Sequence, residues 1–166
     1  MPAAYSASRR PELPVNAIYL YRLGHFLHRR GVPVLPKVVQ RIIFLLFNSS
    51  IPAATRIGPD SWFAYGGMGV VLHEDVVIGR NVFIAQQVTI GGRSGSAVMP
   101  VIEDDVYIAP GARILGPIVV GAGSFVGANA VVIRDVPPHS TVGGIPATVL
   151  KSSSDAPEII KLIRGR

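Results

Sequence analysis

Between Leu72 and Val132 an aliphatic residue recurs at every sixth position but one: Leu72, Ile78, Ile84, Ile90, then Ile102, Ile108, Ile114, Val120, Val126 and Val132. Four places after most of these heads stands a small or β-branched residue (Val76, Val82, Val88, Val106, Ala112, Ser124, Ala130). One place after stands Gly or Ala, at Gly79, Ala85, Gly91, Ala109, Gly121 and Gly127. A period of six fits neither an α-helix, which turns in about 3.6 residues, nor a half-buried strand, which alternates. It is the period of a short strand plus a turn, repeated as hexapeptide units. No unit can bury its own head, so successive coils must stack into a continuous core. A β-sandwich would have to bring ten heads into one frame by coincidence. Ser96 breaks the beat inside Gly91-Gly92-Arg93-Ser94-Gly95-Ser96, which predicts an excursion loop.

The rhythm begins early, at Ile51, Ile57 and Phe63, with Thr55 and Ser61 in the small slot, and then slips. Three extra residues stand between Phe63 and Leu72, in the glycine-rich run 64–70. Glycine supplies the positive φ and close backbone approach such a bulge needs, and beside His73 the break predicts a place where function is grafted. Upstream, the spacing predicts a helix over 15–30, with Leu20, Leu23 and Leu27 on one face, Ile18, Tyr21 and Phe26 near it, and Gly31 as its stop. A second helix is predicted over 36–47, stopped by Asn48-Ser49-Ser50. The chain therefore divides into a basic tail and helical segment (1–50), a repeat body (51–150) and a C-terminal tail with a short helix over 157–163 (151–166). The body's 100 positions amount to about five and a half coils of three hexads.

Charge changes this picture in one place. Residues 1–48 hold seven Lys/Arg against Glu12, a balance of +6, whereas the remaining residues hold nine basic and nine acidic side chains. The whole net charge thus belongs to the N-terminal arm, a feature that attracts an anionic membrane surface, a nucleic acid or a phosphorylated ligand, or simply solvates a helix face. Basic residues interleaved with aromatics, as nucleic-acid surfaces require, do not accompany it. With no cysteine there is no disulfide or thiolate chemistry, and the apolar run 38–47 is too short to span a bilayer. The expectation is a cytoplasmic protein, peripheral to the inner face of the membrane if the arm binds there.

Several stretches together resemble the serine acetyltransferase branch of the hexapeptide-repeat acyltransferases: Gly69-Val70-Val71-Leu72, Val77-Ile78-Gly79, Gln87-Val88-Thr89-Ile90-Gly91-Gly92, Pro110-Gly111-Ala112-Arg113-Ile114-Leu115-Gly116, Val136-Pro137-Pro138-His139-Ser140 and Gly144-Ile145-Pro146-Ala147. The resemblance covers residues 51–150. It implies an all-β, left-handed parallel β-helix, a homotrimer with active sites between subunits, and acetyl-CoA as a co-substrate with no tightly bound cofactor. The acetyl group would pass to a hydroxyl of a small acceptor. Three departures stand out. The branch's general-base histidine corresponds to Gly66, its partner aspartate to Ser50, and its substrate-side histidine to Met99. These losses turn the expected acceptor from serine toward a sugar hydroxyl of a surface-polysaccharide precursor, with serine itself and a catalytically inactive assembly platform as the alternatives.

Transfer from a thioester to a hydroxyl needs a base for the hydroxyl proton, and histidine suits neutral pH. His25 and His28 lie in the first helix, and the resemblance makes His139 part of a structural exit, so His73 is the candidate base. It should face outward from the coil of Leu72. Glu74 or Asp75 would orient it from a neighbouring chain, since adjacent residues on one strand point apart, and Tyr65 is the next polar group on the bulge. For the cofactor, the resemblance implies that Gly91, Gly92, Ala109, Gly127 and Ala128 let backbone approach the pantetheine arm, with Pro146 beside them and Arg93 and Lys151 toward the phosphates. No dinucleotide fingerprint and no three-histidine metal set is present in the body.

Overall fold

The computed structural model describes residues 15–152. Two helices, α1 (Ala17–Arg29) and α2 (Leu35–Phe47), precede a stack of short parallel strands. The first coil consists of β1 (Arg56–Ile57), β2 (Trp62–Phe63) and β3 (Val71–Leu72), and the second of β4 (Val77–Ile78), β5 (Phe83–Ile84) and β6 (Thr89–Gly91). The third is β7 (Val101–Ile102), β8 (Tyr107–Ile108) and β9 (Arg113–Leu115); the fourth is β10 (Val119–Val120), β11 (Phe125–Val126) and β12 (Val131–Val132). The described residues end in a hairpin of β13 (Ser140–Gly144) and β14 (Ala147–Ser152). Strands of equal rank stack into three walls, β1-β4-β7-β10, β2-β5-β8-β11 and β3-β6-β9-β12, the second continued by β13 and β14. This is the parallel β-helix that the period of six predicts.

The heads are the core. Ile57, Ile78, Ile102 and Val120 stack in register on the first wall, Phe63, Ile84, Ile108, Val126 and Val142 on the second, and Leu72, Ile90, Ile114 and Val132 on the third, all buried. Regular coils repeat at eighteen residues, as from Ile102 to Val120. From Ile78 to Ile102 the step is six longer, which is the excursion loop, and from Ile57 to Ile78 three longer, which is the bulge. These excursions and the final hairpin take up residues that the count of five and a half coils had assigned to coils, so four complete coils form. In the small slot of the first coil, Thr55 Oγ1 donates to His73 O (3.1 Å) and Ser61 Oγ to Gly79 O (2.9 Å), eighteen residues on in each case. Buried hydroxyls are tolerated there because the next coil satisfies them.

The helical arm closes the first coil. Asn16 caps α1 by accepting from Ile18 N–H and donates to Phe63 O (2.8 Å); Tyr21 donates to Thr55 O; Arg22 donates to Ile57 O and Gly58 O. These carbonyls lie on the outermost strands and turns of the stack, where no preceding coil can pair with them. Burial also pushes the Tyr21 phenol pKa up. The face of α1 turned inward is Ala17, Ile18, Tyr21 and Gly24, whereas Leu23 and Phe26 are half exposed. This departs from the expected Leu20–Leu23–Leu27 face. The polar anchors set the helix's rotation, and Gly24 lets Val39 of α2 come close: a Cβ on Gly24 would lie 3.3 Å from Val39 Cγ1. The tail 1–14 and the helix expected over 157–163 lie outside the described residues.

Glycine one place after a head has two different reasons. At Gly79 a Cβ would lie 2.7 Å from the backbone N of Asp104 and 2.8 Å from the carbonyl carbon of Glu103, whereas at Gly91 it would meet nothing nearer than His73 Cβ at 3.8 Å. Gly79→Ala should therefore cost about 1–3 kcal/mol by overpacking, and Gly91→Ala far less. Thermal unfolding of the two variants side by side tests this; equal losses would show that close coil approach is not what requires Gly79.

Candidate active site

His73 follows β3, in the turn that leaves the third wall. Its N–H donates to Ile90 O (3.0 Å), its carbonyl accepts from Thr55, and its side chain is 42% exposed. The backbone is thus held by the coils on both sides while the imidazole stands out. Because β3 ends at Leu72, residues 73–75 form a turn rather than a strand continuation. Asp75 accordingly bends back to the same imidazole: its N–H lies 3.3 Å from Nδ1 and its carboxylate Oδ2 3.7 Å from it. The expectation that adjacent residues would point apart, leaving orientation to a neighbouring chain, is corrected on this point. Glu74 is exposed beside them.

The same edge of the prism carries the excursion loop and the turn after β9. A Cβ on Gly92 would lie 3.0 Å from Met99 Cε, so Met99 folds back over the loop, partly buried against the core. Gly116 N–H donates to Gly91 O (3.0 Å), and a Cβ on Gly116 would lie 3.4 Å from Arg93 Cβ. Ser96 ties the loop internally through Arg93 O and Val98. His73, Glu74, Asp75, Gly91, Gly92 and Arg93 therefore share one edge.

The other candidates do not join them within one chain. Tyr65, Ala109, Gly127 and Ala128 stand in turns that leave the second wall, which is a different edge. Tyr65 is half exposed at φ +50 in a 3-10 turn, followed by the buried Gly66 at φ +73. The bulge itself receives the arm: Gly69 N–H donates to Phe47 O, Ser49 Oγ donates to Gly67 O, and a Cβ on Gly67 would lie 3.1 Å from Ala17 Cβ. The grafted function expected of the frame break is thus at least partly the docking of the helices. Pro146 and Lys151 are exposed on the terminal hairpin.

Two buried polar atoms lie outside the candidate set. The amide oxygen Oε1 of Gln86, one residue beyond Ala85, is buried without a hydrogen-bond partner among the described residues, as is Nδ1 of His139. A buried polar atom in that state calls for a ligand or water. Gln86 could not be told from any polar turn residue in a hexad. His25, in contrast, is structural, with Nδ1 2.8 Å from Ala53 O and its ring stacked on Tyr21.

Comparison with known proteins agrees with this fold. Residues 99–134 match the bacterial transferase hexapeptide model (six repeats). Serine acetyltransferase of Bacillus pumilus strain SAFR-032 is 40% identical over 138 residues, which is 82% of this chain and 63% of that protein. The Escherichia coli K12 serine acetyltransferase is 39% identical over 147 residues, 87% of this chain and 54% of that protein. A solved serine acetyltransferase from Vibrio cholerae superposes with a TM-score of 0.79 at 34% identity, covering 89% of this chain and 56% of the other. The chain carries bacterial transferase hexapeptide repeats and is similar to serine acetyltransferases over more than four fifths of its own length. It spans about three fifths or less of the length of these curated relatives.

The hydrogen bonding of His73 makes a definite forecast. An Nδ1 that accepts from the Asp75 amide leaves the neutral ring's proton on Nε2. Long-range proton–nitrogen correlation spectra of the resting protein should show the Nε2–H tautomer; an Nδ1–H signal would mean that the carboxylate of Asp75, not its amide, faces the ring.

Proposed function

We propose that this protein is an acetyl-CoA-dependent O-acetyltransferase, active as a homotrimer in the cytoplasm and peripheral to the inner face of the membrane. The acceptor is a sugar hydroxyl of a surface-polysaccharide precursor. The observation that carries the reading is the division of the candidate residues between two edges of one β-helix. His73, Asp75 and the Gly91–Arg93 loop make one half of a site, and Tyr65, Ala109, Gly127 and Ala128 make the other. A groove between neighbouring copies would bring one half against the other. Relatives support the co-substrate, since solved serine acetyltransferases include complexes with coenzyme A, one of them from Brucella abortus strain S19.

In the reaction His73 accepts the acceptor's hydroxyl proton as that oxygen bonds to the thioester carbonyl carbon. The carbon–sulfur bond then breaks, and CoA departs as the thiol once the proton returns to sulfur. For Nε2 to act as base, Nδ1 must carry the ring proton, so the Asp75 side chain closes the 3.7 Å gap when substrate binds. Apo geometries of catalytic hydrogen bonds are often looser than the working ones.

Serine as acceptor is the second reading, favoured by the names of the relatives and by a solved serine complex of the Neisseria gonorrhoeae enzyme. Against it stand Gly66, buried at φ +73 and without a side chain, and Met99, whose thioether packs over Gly92. A panel of serine, homoserine, simple sugars and nucleotide sugars, followed by thiol release from acetyl-CoA, decides between the two. Turnover is expected with a sugar acceptor and should fall about a hundredfold or more in His73→Ala. Turnover that survives the substitution moves the base elsewhere, with Tyr65 next. Absence of both turnover and acetyl-CoA binding would sink the enzyme reading in favour of an assembly platform.

A further inference from the structure

Helix α2 carries two apolar stripes. Pro36, Val39, Ile43 and Phe47 are buried against the body, while Leu35, Val38, Ile42 and Leu45 form a second stripe at helical spacing, exposed by 52, 42, 40 and 80%. Such a stripe on a soluble surface marks an interaction site. Between the two stripes lie Lys37 and Arg41, which with Gln40, Phe44, Ser49 and Ser50 line an open groove of about 420 Å³. Among the described residues no carboxylate contributes to that lining, and no Asp or Glu occurs anywhere from residue 13 to residue 59. The α1 side is alike in charge, with Arg29 exposed and Arg30 lying over the half-exposed Phe26 ring at 4.7 Å.

Charge decides what covers the stripe. A second copy laid face to face would set Lys37 and Arg41 against their own images, whereas an anionic surface complements them. An apolar stripe flanked by cations, on a helix without acids, is the pattern of a segment lying in a membrane interface. With 13 residues and basic side chains in the helix, α2 lies along such a surface rather than crossing it. We propose that α2 rests on an anionic phospholipid bilayer, with Leu35, Val38, Ile42 and Leu45 among the upper acyl chains and Lys37 and Arg41 on headgroup phosphates. The inference names the surface behind the membrane-peripheral placement of the acyl-transfer reading, and the vesicle assay reads it without any turnover.

The full chain is sedimented with phosphatidylcholine vesicles and with equimolar phosphatidylcholine–phosphatidylglycerol vesicles across a salt series. Binding is expected only to the anionic vesicles, and it should weaken as salt rises. Lys37→Gln with Arg41→Gln should weaken it about tenfold or more and flatten the salt dependence. Leu45→Glu should abolish it while circular dichroism, subunit number by light scattering and thiol release with a soluble acceptor stay unchanged. Equal binding to neutral vesicles, or no loss in Leu45→Glu, overturns the proposal. A change of subunit number in Leu45→Glu also overturns it, since the stripe would then be an interface between copies. Loss of thiol release with intact vesicle binding would instead count against the acyl-transfer reading alone.

Discussion

Backbone pairing between successive coils is the interaction on which everything else here depends. Each two- or three-residue strand is too short to be stable alone, and it is held because its N–H and C=O groups meet the coils above and below. Such a stack satisfies its interior and leaves two open ends. At the start the arm answers with side chains, Asn16, Tyr21 and Arg22 reaching four carbonyls of the first coil. At the finish the chain doubles back, β14 pairing antiparallel with β13. The helices are therefore part of the β-helix's own accounting of hydrogen bonds, and removing them would leave the carbonyls of Thr55, Ile57, Gly58 and Phe63 without those donors.

Much of this could be read in the chain because the repeat is strict. Every head from Leu72 to Val132 falls inward and in register, and both departures from the period sit where the beat breaks, over 64–70 and 91–96. Helix ends were equally legible. Gly31 takes φ +73 and donates to His28 O while Val32 donates to Leu27 O, the paired bonds of a glycine-terminated helix, and Asn48 closes α2 in the left-handed region. What escaped the sequence depends on contacts between distant residues. The inward face of α1 follows from Asn16 and Tyr21 meeting Phe63 and Thr55, some 34 to 47 positions away, and no local period announces that. Hydrophobic spacing alone favours Leu23, which the anchors turn outward.

The candidate site shows the same division. His73 stands out as a candidate base from its place after the bulge and from the scarcity of histidines in the body. Its relation to Asp75 does not, because a two-residue strand ends sooner than strand alternation assumes, and a turn lets near neighbours share one side. The placement of Tyr65 and Ala109 on another edge likewise follows from counting walls. Residues eighteen apart fall on one edge, and residues six apart fall on successive edges. Tyr65 and His73, eight positions apart but separated by part of the bulge, lie on neighbouring edges. On the proposed reading a single chain of this design presents half-sites, and its chemistry would depend on how copies are set beside one another.

The arm links these themes. Its inward surface is occupied in closing the first coil and in filling the bulge, where Gly67 admits Ala17 and the Gly69 N–H donates to Phe47 O. Nothing in that task requires Leu45 to be apolar, and an exposed leucine on a cationic helix carries a solubility cost without structural return. Lys37 and Arg41 are likewise not needed to hold α2 on the body, whose contacts are made by Pro36, Val39, Ile43 and Phe47. A helix with two apolar stripes, only one of which is used by the fold, fits the second environment proposed for it. The groove between those stripes opens beside Ser50, which bridges to Val71 two residues before His73. A surface that holds α2 therefore also sets the distance between anionic headgroups and the candidate base, and an acceptor tethered in that surface need not be captured from solution.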